Sequence, residues 1–168
     1  MLFRSGYQKQ RILTFLSPDS DPLGSGYHII QSKIAIGSGM ITGKGFLKGT
    51  QNALSFLPEQ HTDFIFSVLS EEWGFLGSAF LLSLFFLLIL WGLRIAYRSK
   101  DPFGTLLALG ITFMIFLQVV INVGMVMGLM PVVGVPLPLI SYGGSSMITI
   151  MVSIGLLLNV SMRRYMFE

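Results

Sequence analysis

The sequence contains no cysteine and few charged residues, and both shortages narrow the classes of protein to consider. Only 11% of its 168 residues are charged, whereas 52% are hydrophobic. A soluble domain carries about 25% charged residues. Without cysteine there is no disulfide framework, no thiol nucleophile and no cysteine-based metal site. The two histidines, His28 and His61, do not form the HExxH pattern of a zinc protease.

The sequence contains long apolar segments without charged residues. No charged residue occurs between Pro102 and Met162, which is far more chain than one buried helix of a soluble protein uses. The sequence therefore predicts an all-α polytopic membrane protein with about three transmembrane helices, near residues 73–97, 103–130 and 144–162. The prolines and glycines of residues 131–144 should end the second helix and turn the chain.

Residues 1–72 are expected to form a long external loop with short amphipathic helices. Tyr7–Leu16 is one candidate and Tyr27–Ile36 is another, with Ile29, Ile30 and Ile34 near one face of the second. Basic residues follow the first and third spans, so the positive-inside rule places both in the cytoplasm and the loop outside. Because no earlier span or signal peptide carries the loop outward, the pattern predicts the C-terminal part of a larger protein.

Half of the acidic residues lie where the polar loop meets the first span. They are Glu59, Asp63, Glu71 and Glu72, four of eight in the chain. Thr62 is a candidate N-cap for a helix that begins near Asp63. The pattern alone leaves Asp63 open as a first-turn acid stabilised by the helix dipole or as a catalytic carboxylate. Glu71 and Glu72 are expected to be interfacial charges that flank the span.

The glycine-rich stretch Gly37–Gly49 resembles a phosphate-binding loop but fails its template. Gly45 follows Lys44, where a Walker loop needs serine or threonine. A nucleotide site is therefore rejected. Lys44 and Lys48 remain either anion contacts or solvated lysines.

Polar side chains inside the spans are few. Gln118 and Asn122 share one helical face, and they either line a substrate path or make interhelical hydrogen bonds. Gly124 and Gly128 have the spacing that permits close helix packing.

Two blocks go beyond a general membrane pattern: LPEQHTDFIFSVLSEEWGFLG at 57–77 and NVGMVMGLMPVVGVPLPLISYGGSS at 122–146. The second resembles the signature of the SEDS family (shape, elongation, division and sporulation proteins), P-x-x-G-x-x-L-P-x-x-S-Y-G-G-S-S before the last span. The matching residues are Pro131, Gly134, Leu137, Pro138, Ser141, Tyr142, Gly143, Gly144, Ser145 and Ser146. The sequence GYHIIQSKIAIGSG at 26–39 resembles the RodA branch of the family more than the FtsW branch.

The resemblance covers essentially the whole chain and implies both a fold and an activity. Family members typically have ten spans, of which this chain would supply the large external loop and spans eight to ten. They are peptidoglycan glycosyltransferases that polymerise lipid II at the bacterial inner membrane, for cell-wall elongation and rod shape. The implied partners are lipid II, a class B penicillin-binding protein and other membrane proteins of the elongation complex, with no nucleic acid.

The resemblance also implies roles for individual residues. Asp63, in the H-T-D-F motif, is the implied catalytic aspartate, acting as a base on the acceptor hydroxyl or as a ligand of a divalent cation, Mg²⁺ or Mn²⁺. The candidates for binding substrate and its pyrophosphate are Lys33, Lys44, Lys48, Glu59 and His61. For the S-Y-G-G-S-S run we expect a tight re-entry turn with close backbone packing.

Two other functions stay open at this point. One is a lipid II transporter, which would move the precursor across a bilayer without consuming it. The other is a scaffold without catalytic activity that docks a class B penicillin-binding protein. The chain could also be a truncated product that has no activity alone.

Overall fold

The computed structural model describes residues 25–45 and 62–166. These residues form four helices: α1 (Ser25–Ser38), α2 (Ile65–Arg98), α3 (Pro102–Val126) and α4 (Gly144–Met166). The described residues contain no β-strand, and α2, α3 and residues Gly144–Arg163 of α4 are long and apolar enough to cross a membrane. The prediction of an all-α, multi-pass membrane protein is therefore confirmed.

Helix α1 lies where the sequence predicts the second amphipathic helix, but its buried face differs from the expected one. Ile29 and Ala35 are 3% and 1% exposed, whereas Ile30 and Ile34 are 37% and 47% exposed. The buried Ser32 explains the change, because its hydroxyl donates to the carbonyl of Val126 at 2.7 Å and turns this side of α1 toward the end of α3. The expected helix Tyr7–Leu16 lies outside the described residues.

Helix α2 begins earlier than the predicted span and contains a break. Its 34 residues correspond to about 51 Å of helix, more than the hydrocarbon core of about 30 Å. Gly74 has φ 66° and ψ −161° inside the helix, so the segment before it is separate from the apolar segment that follows. The extra length extends the helix to Ile65, close to Asp63 at the end of the polar loop.

The start of α2 differs from the prediction at the cap. Phe64 is the N-cap residue, and it makes no side-chain capping bond, so the expected cap by Thr62 is wrong. Asp63 lies in a turn before the helix, and the first turn of α2 contains no acidic residue. Asp63 is therefore not a first-turn acid of α2, since it directly precedes the N-cap residue.

Helix α3 starts sharply and ends before the predicted limit. The Asp101 carboxylate accepts hydrogen bonds from the amides of Phe103 and Gly104 at 3.4 and 3.3 Å, and Pro102 follows the cap, as is common at a helix start. The helix ends at Val126. Residues 127–143 contain no helix, so the predicted chain reversal after the second span is confirmed.

Two clusters of buried apolar side chains hold the helices together at their two ends. One combines Phe64 and Phe66 with Met125, Val126 and Leu137. It joins the start of α2, the end of α3 and the segment that follows α3. The second cluster lies among α2, α3 and α4 at the other end of the helices. The first cluster fixes the backbone from which Asp63 projects.

Candidate functional site

Asp63 lies in the short turn before α2 and is partly buried. Its carbonyl oxygen accepts a hydrogen bond from Nδ2 of Asn122 at 3.0 Å. The same amide donates to the carbonyl of Val135 at 2.7 Å. Asn122 has no exposed surface, so these bonds form in an environment where an unmade bond is costly. One side chain of α3 thus ties the H-T-D-F segment to the P-x-x-G segment.

A second side chain holds the neighbouring carbonyl. The hydroxyl of Ser141 donates to the carbonyl of Thr62 at 2.6 Å and accepts from the amide of Leu137 at 2.7 Å. Ser141 is 3% exposed. Two consecutive carbonyls, those of Thr62 and Asp63, are therefore fixed by buried side chains from the second signature block.

The Asp63 carboxylate lies against the backbone of that block. A Cβ atom built on Gly134 would lie 3.1 Å from Oδ2 of Asp63, and Gly134 has φ +76°. The glycine therefore serves two physical needs: it adopts a left-handed conformation, and it leaves room for the carboxylate. The structure brings together Asp63, Gly134 and Ser141, which the sequence places in two separate blocks.

Lys44 and the two glutamates of α2 lie elsewhere than expected. Nζ of Lys44 forms an ion pair with Oε1 of Glu71 at 2.8 Å. Glu71 and Glu72 are 0% and 8% exposed, so the expectation that they are interfacial charges is wrong. They are buried because the glycine-rich loop covers this part of α2. Lys44, a candidate for pyrophosphate binding, contributes its charge to this ion pair.

The glycine-rich loop supplies hydrogen bonds that the broken helix lacks. The amides of Lys44 and Gly45 donate to the carbonyls of Glu71 and Glu72, each at 3.0 Å. The amides just after Gly74 complete the exchange: Phe75 donates to Met40 at 2.9 Å and Leu76 to Ile41 at 3.1 Å. A side chain on Gly43 would collide with the Glu72 carbonyl. The glycines thus permit close backbone contact between the loop and α2.

Lys33 and the predicted glycine packing motif meet at the end of α3. Gly128 lies beyond the helix with φ +70°, and the end of the Lys33 side chain, together with Ile29, is next to it. Gly124 instead faces the side chain of Met130. The two glycines therefore do not form a helix–helix packing face as predicted. Lys33 is solvent-exposed at the Asp63 end of α3.

A turn at residues 138–141 precedes α4, and the residues of the S-Y-G-G-S-S run differ in how closely they are packed. Tyr142 is 81% exposed, and a Cβ on Gly144 would meet nothing within 4 Å. A Cβ on Gly143 would lie 2.7 Å from Oγ of Ser146. The expected close packing is therefore present at Gly143 and at the buried Ser141, and it is wrong for Gly144, where an added Cβ would face open space.

Three candidate residues, Lys48, Glu59 and His61, lie outside the described residues. Within the described ranges no group of three or more histidine, cysteine, aspartate or glutamate side chains could hold a metal ion. Glu59 and His61, which precede Asp63 in the sequence, lie outside this search, so a role of Asp63 as a cation ligand stays a proposal.

Sequence reasoning identified Asn122 and Ser141 but not what they do. The sequence leaves Asn122 open between a substrate path and a helix–helix hydrogen bond, and the structure shows that it donates to the carbonyls of two loop residues, Asp63 and Val135. For Ser141 the sequence predicts only a position in the S-Y-G-G-S-S turn. A buried amide one turn before a helix end, next to a proline-rich segment, is the signal that indicates such a bond.

Two curated relatives are similar in sequence to most of this chain. Peptidoglycan glycosyltransferase MrdB of Escherichia coli (strain K12) is 56% identical over 162 residues, covering 96% of this chain and 44% of the relative. Peptidoglycan glycosyltransferase RodA of Treponema pallidum (strain Nichols) is 51% identical, covering 94% of this chain and 36% of the relative. This chain thus spans less than half the length of these two relatives.

A solved structure and a family model extend the comparison to the fold and to the whole chain. A chain from a structure titled "Structural coordination of polymerization and crosslinking by a peptidoglycan synthase complex" matches with a TM-score of 0.75 and 37% identity, covering 96% of this chain and 44% of that chain. The family model FTSW_RODA_SPOVE, described as cell cycle protein, matches residues 1–166. The protein is therefore a member of the FtsW, RodA and SpoVE family of cell cycle proteins, close to RodA.

Proposed function

We propose that this chain carries the catalytic aspartate of a peptidoglycan glycosyltransferase that polymerises lipid II, and that Asp63 is this residue. The observation that carries the proposal is the attachment of the Asp63 turn to the second signature block, through Asn122 and Ser141. Two blocks that are distant in sequence converge on one carboxylate at the end of the spans. The names of the relatives, peptidoglycan glycosyltransferases MrdB and RodA, support the same reaction.

The proposed reaction joins two sugars at the membrane boundary. The acceptor 4-hydroxyl attacks the anomeric carbon of the donor, the new carbon–oxygen bond forms, and the bond to the lipid pyrophosphate breaks. The hydroxyl proton passes to the Asp63 carboxylate, and the lipid pyrophosphate leaves. A positioned base contributes roughly 10²–10⁴-fold to such a step, and its contribution depends on fixed geometry, which the two carbonyl contacts supply.

The leaving pyrophosphate requires positive charge. Lys33 supports this role better than Lys44, because it is exposed at the Asp63 end of α3 while Lys44 is paired with Glu71. Lys48, Glu59 and His61 remain proposed contributors outside the described residues. A divalent cation also remains a proposal, and no step of the reaction is assigned to it.

The proposed location is the bacterial inner membrane, with the long N-terminal loop in the periplasm and the C-terminus in the cytoplasm. The basic residues Arg94, Arg98 and Lys100 at the far end of α2 support this orientation. The proposed partner is a class B penicillin-binding protein, together with other elongation proteins. The likeness to a chain of a peptidoglycan synthase complex supports assembly with a partner.

The test is lipid II polymerisation by this chain and by the same chain joined to the N-terminal half of a relative, each with a class B penicillin-binding protein. Asp63→Asn should lower the rate at least about 100-fold. The matched control is Asp101→Asn, which removes an equal charge at the other end of α3, where asparagine also caps a helix well. It should keep the rate.

The other outcomes separate the competing functions. An Asp63→Asn protein that polymerises at the normal rate contradicts the proposal. Movement of lipid II across liposomes without glycan synthesis would favour a transporter. Binding of the penicillin-binding protein without glycan synthesis in either chain would favour a scaffold.

A further inference from the structure

Two adjoining cavities lie at the end of the helices remote from Asp63. The larger, of about 370 Å³, lies where α3 starts and α4 ends, and its lining includes Lys100, Phe103, Leu107 and Arg163. The smaller, of about 200 Å³, is lined by residues that include Trp91, Arg94 and Arg98. Ser99 and Val160 border both, so the two cavities are neighbours, and together we call them the basic recess.

The charge of the basic recess is strongly one-sided. Four cationic side chains border it: Arg94, Arg98, Lys100 and Arg163. All four are exposed. The one carboxylate in the lining is Asp101, whose oxygens accept hydrogen bonds from two amides at the start of α3. A recess with this excess of positive charge favours an anionic group.

The walls of the recess are apolar where they meet the membrane-spanning part. Phe103 is 71% exposed and Trp91 is 38% exposed, and Leu107 and Ile95 also line the recess. Tryptophan is enriched where a bilayer meets water. A ligand that satisfies both parts carries a phosphate for the cations and a hydrocarbon chain for the aromatic walls. Basic pockets between transmembrane helices bind phospholipid headgroups in this way.

We propose that the basic recess binds the phosphate headgroup of an anionic phospholipid, with the acyl chains against Trp91 and Phe103. This site does not depend on the glycosyltransferase proposal, because Asp63 lies before α2 and the recess lies at the opposite end of that helix. A free phosphate ion could bind the same cations but has no acyl chain to contact the apolar walls.

Trp91 provides a direct reporter. The chain has two tryptophans, and Trp73→Phe leaves Trp91 as the single one. This protein is reconstituted in phosphatidylcholine bilayers that contain a small fraction of phosphatidylglycerol or phosphatidylcholine brominated on its acyl chains. At equal mole fraction, brominated phosphatidylglycerol should quench Trp91 fluorescence more strongly, because the recess concentrates the anionic lipid next to the indole. Equal quenching by the two brominated lipids overturns the proposal.

Charge variants test the cations. Arg98→Gln and Arg163→Gln should each weaken the preference for phosphatidylglycerol about fivefold at low salt, and the double variant should abolish it. Lys33→Gln is the matched control, because it removes one exposed cation at the Asp63 end and should leave the preference unchanged. Helix content by circular dichroism should stay the same in all variants. A preference that survives the double variant, or that Lys33→Gln removes equally, contradicts the assignment.

Two further arms complete the test. Inorganic phosphate titrated into protein in pure phosphatidylcholine bilayers should give no heat that depends on Arg98 and Arg163; such a heat, without lipid selectivity, would assign the recess to free phosphate and reject the lipid. Repeating the quenching on the chain joined to an upstream half of a relative should give the same preference. Loss of preference there overturns the proposal for the longer protein.

Discussion

Asn122 acts on the candidate base through the backbone, since its amide donates to the Asp63 carbonyl and not to the carboxylate. Asn122→Ala should lower kcat about 10- to 100-fold, because an aspartate displaced by even 1 Å loses productive alignment. KM should change much less, since no proposed substrate contact is removed. Kinetics of lipid II polymerisation by the completed chain measure both constants. Gln118→Ala, one turn earlier on the same face, is the control and should stay near the normal rate.

Ser141 is the other side chain that holds this turn, and its role can be tested by comparing a variant without the hydroxyl with one that keeps it. Ser141→Ala removes one donor and one acceptor, while Ser141→Thr keeps the hydroxyl. If Ser141 positions Asp63, threonine should recover a large part of the kcat that alanine loses. Equal losses in both variants, parallel to equal losses of folded protein, would mean that the hydroxyl serves folding only.

Gly134 combines a left-handed backbone with contact to the carboxylate, so one added methyl group has two effects. Gly134→Ala should cost about 1–2 kcal/mol of stability from the left-handed conformation and should also displace Asp63, since the new Cβ would lie 3.1 Å from Oδ2. Activity should therefore fall further than the amount of folded protein. Gly144→Ala is the control, because its Cβ meets open space. If Gly144→Ala proves the more damaging change, the arrangement described for this segment is wrong.

At the scale of elements, the break in α2 and the glycine-rich loop form one unit. The loop gives hydrogen bonds to carbonyls before Gly74 and receives them from amides after it. The Lys44–Glu71 ion pair adds a connection whose charges are partly withdrawn from water. Removing one partner of a buried ion pair leaves the other charge uncompensated. The Lys44–Glu71 contact therefore favours a single position of the loop on the helix.

Gly74→Ala tests whether this unit is needed for folding. The φ and ψ of Gly74 lie in a region that is essentially restricted to glycine and costs about 1–3 kcal/mol for other residues. An added Cβ would also collide with the Ile41 carbonyl. The variant should show a lower thermal midpoint in detergent and less folded protein. Gly110→Ala, on an open face of α3 with nothing within 4 Å of the new Cβ, should be neutral or slightly stabilising. A Gly74→Ala protein as stable as Gly110→Ala would contradict the described break.

At the scale of the whole molecule, the two ends have different chemistry. One end carries Asp63, the re-entry segment and the glycine-rich loop, and the other carries the basic recess. The charge-free parts of three spans separate them. This separation assigns the proposed sugar chemistry to one side of the membrane and the proposed lipid headgroup contact to the other.

The absence of cysteine makes the proposed orientation directly measurable. Tyr142 and Tyr97 are 81% and 91% exposed, and they lie at opposite ends of the helices. Tyr142→Cys in intact cells with a permeabilised outer membrane should react with a membrane-impermeant maleimide. Tyr97→Cys should react only after the inner membrane is opened, because the basic end faces the cytoplasm. The reverse pattern would contradict the orientation and the periplasmic placement of Asp63.

The sequence by itself determined the membrane class, the three spans and the chain reversal, because long apolar runs, proline and glycine are local signals. Asp63 as the catalytic residue rests on the family resemblance and stays a proposal. The tertiary structure alone decided which face of α1 is buried and what Asn122 and Ser141 bind. It also decided that Glu71 and Glu72 are buried, because the glycine-rich loop covers them. Each of these depends on contacts between segments far apart in the chain, such as Ser141 with Thr62, and no local pattern encodes such a partner. Burial follows from what covers a side chain, and only the folded arrangement fixes that.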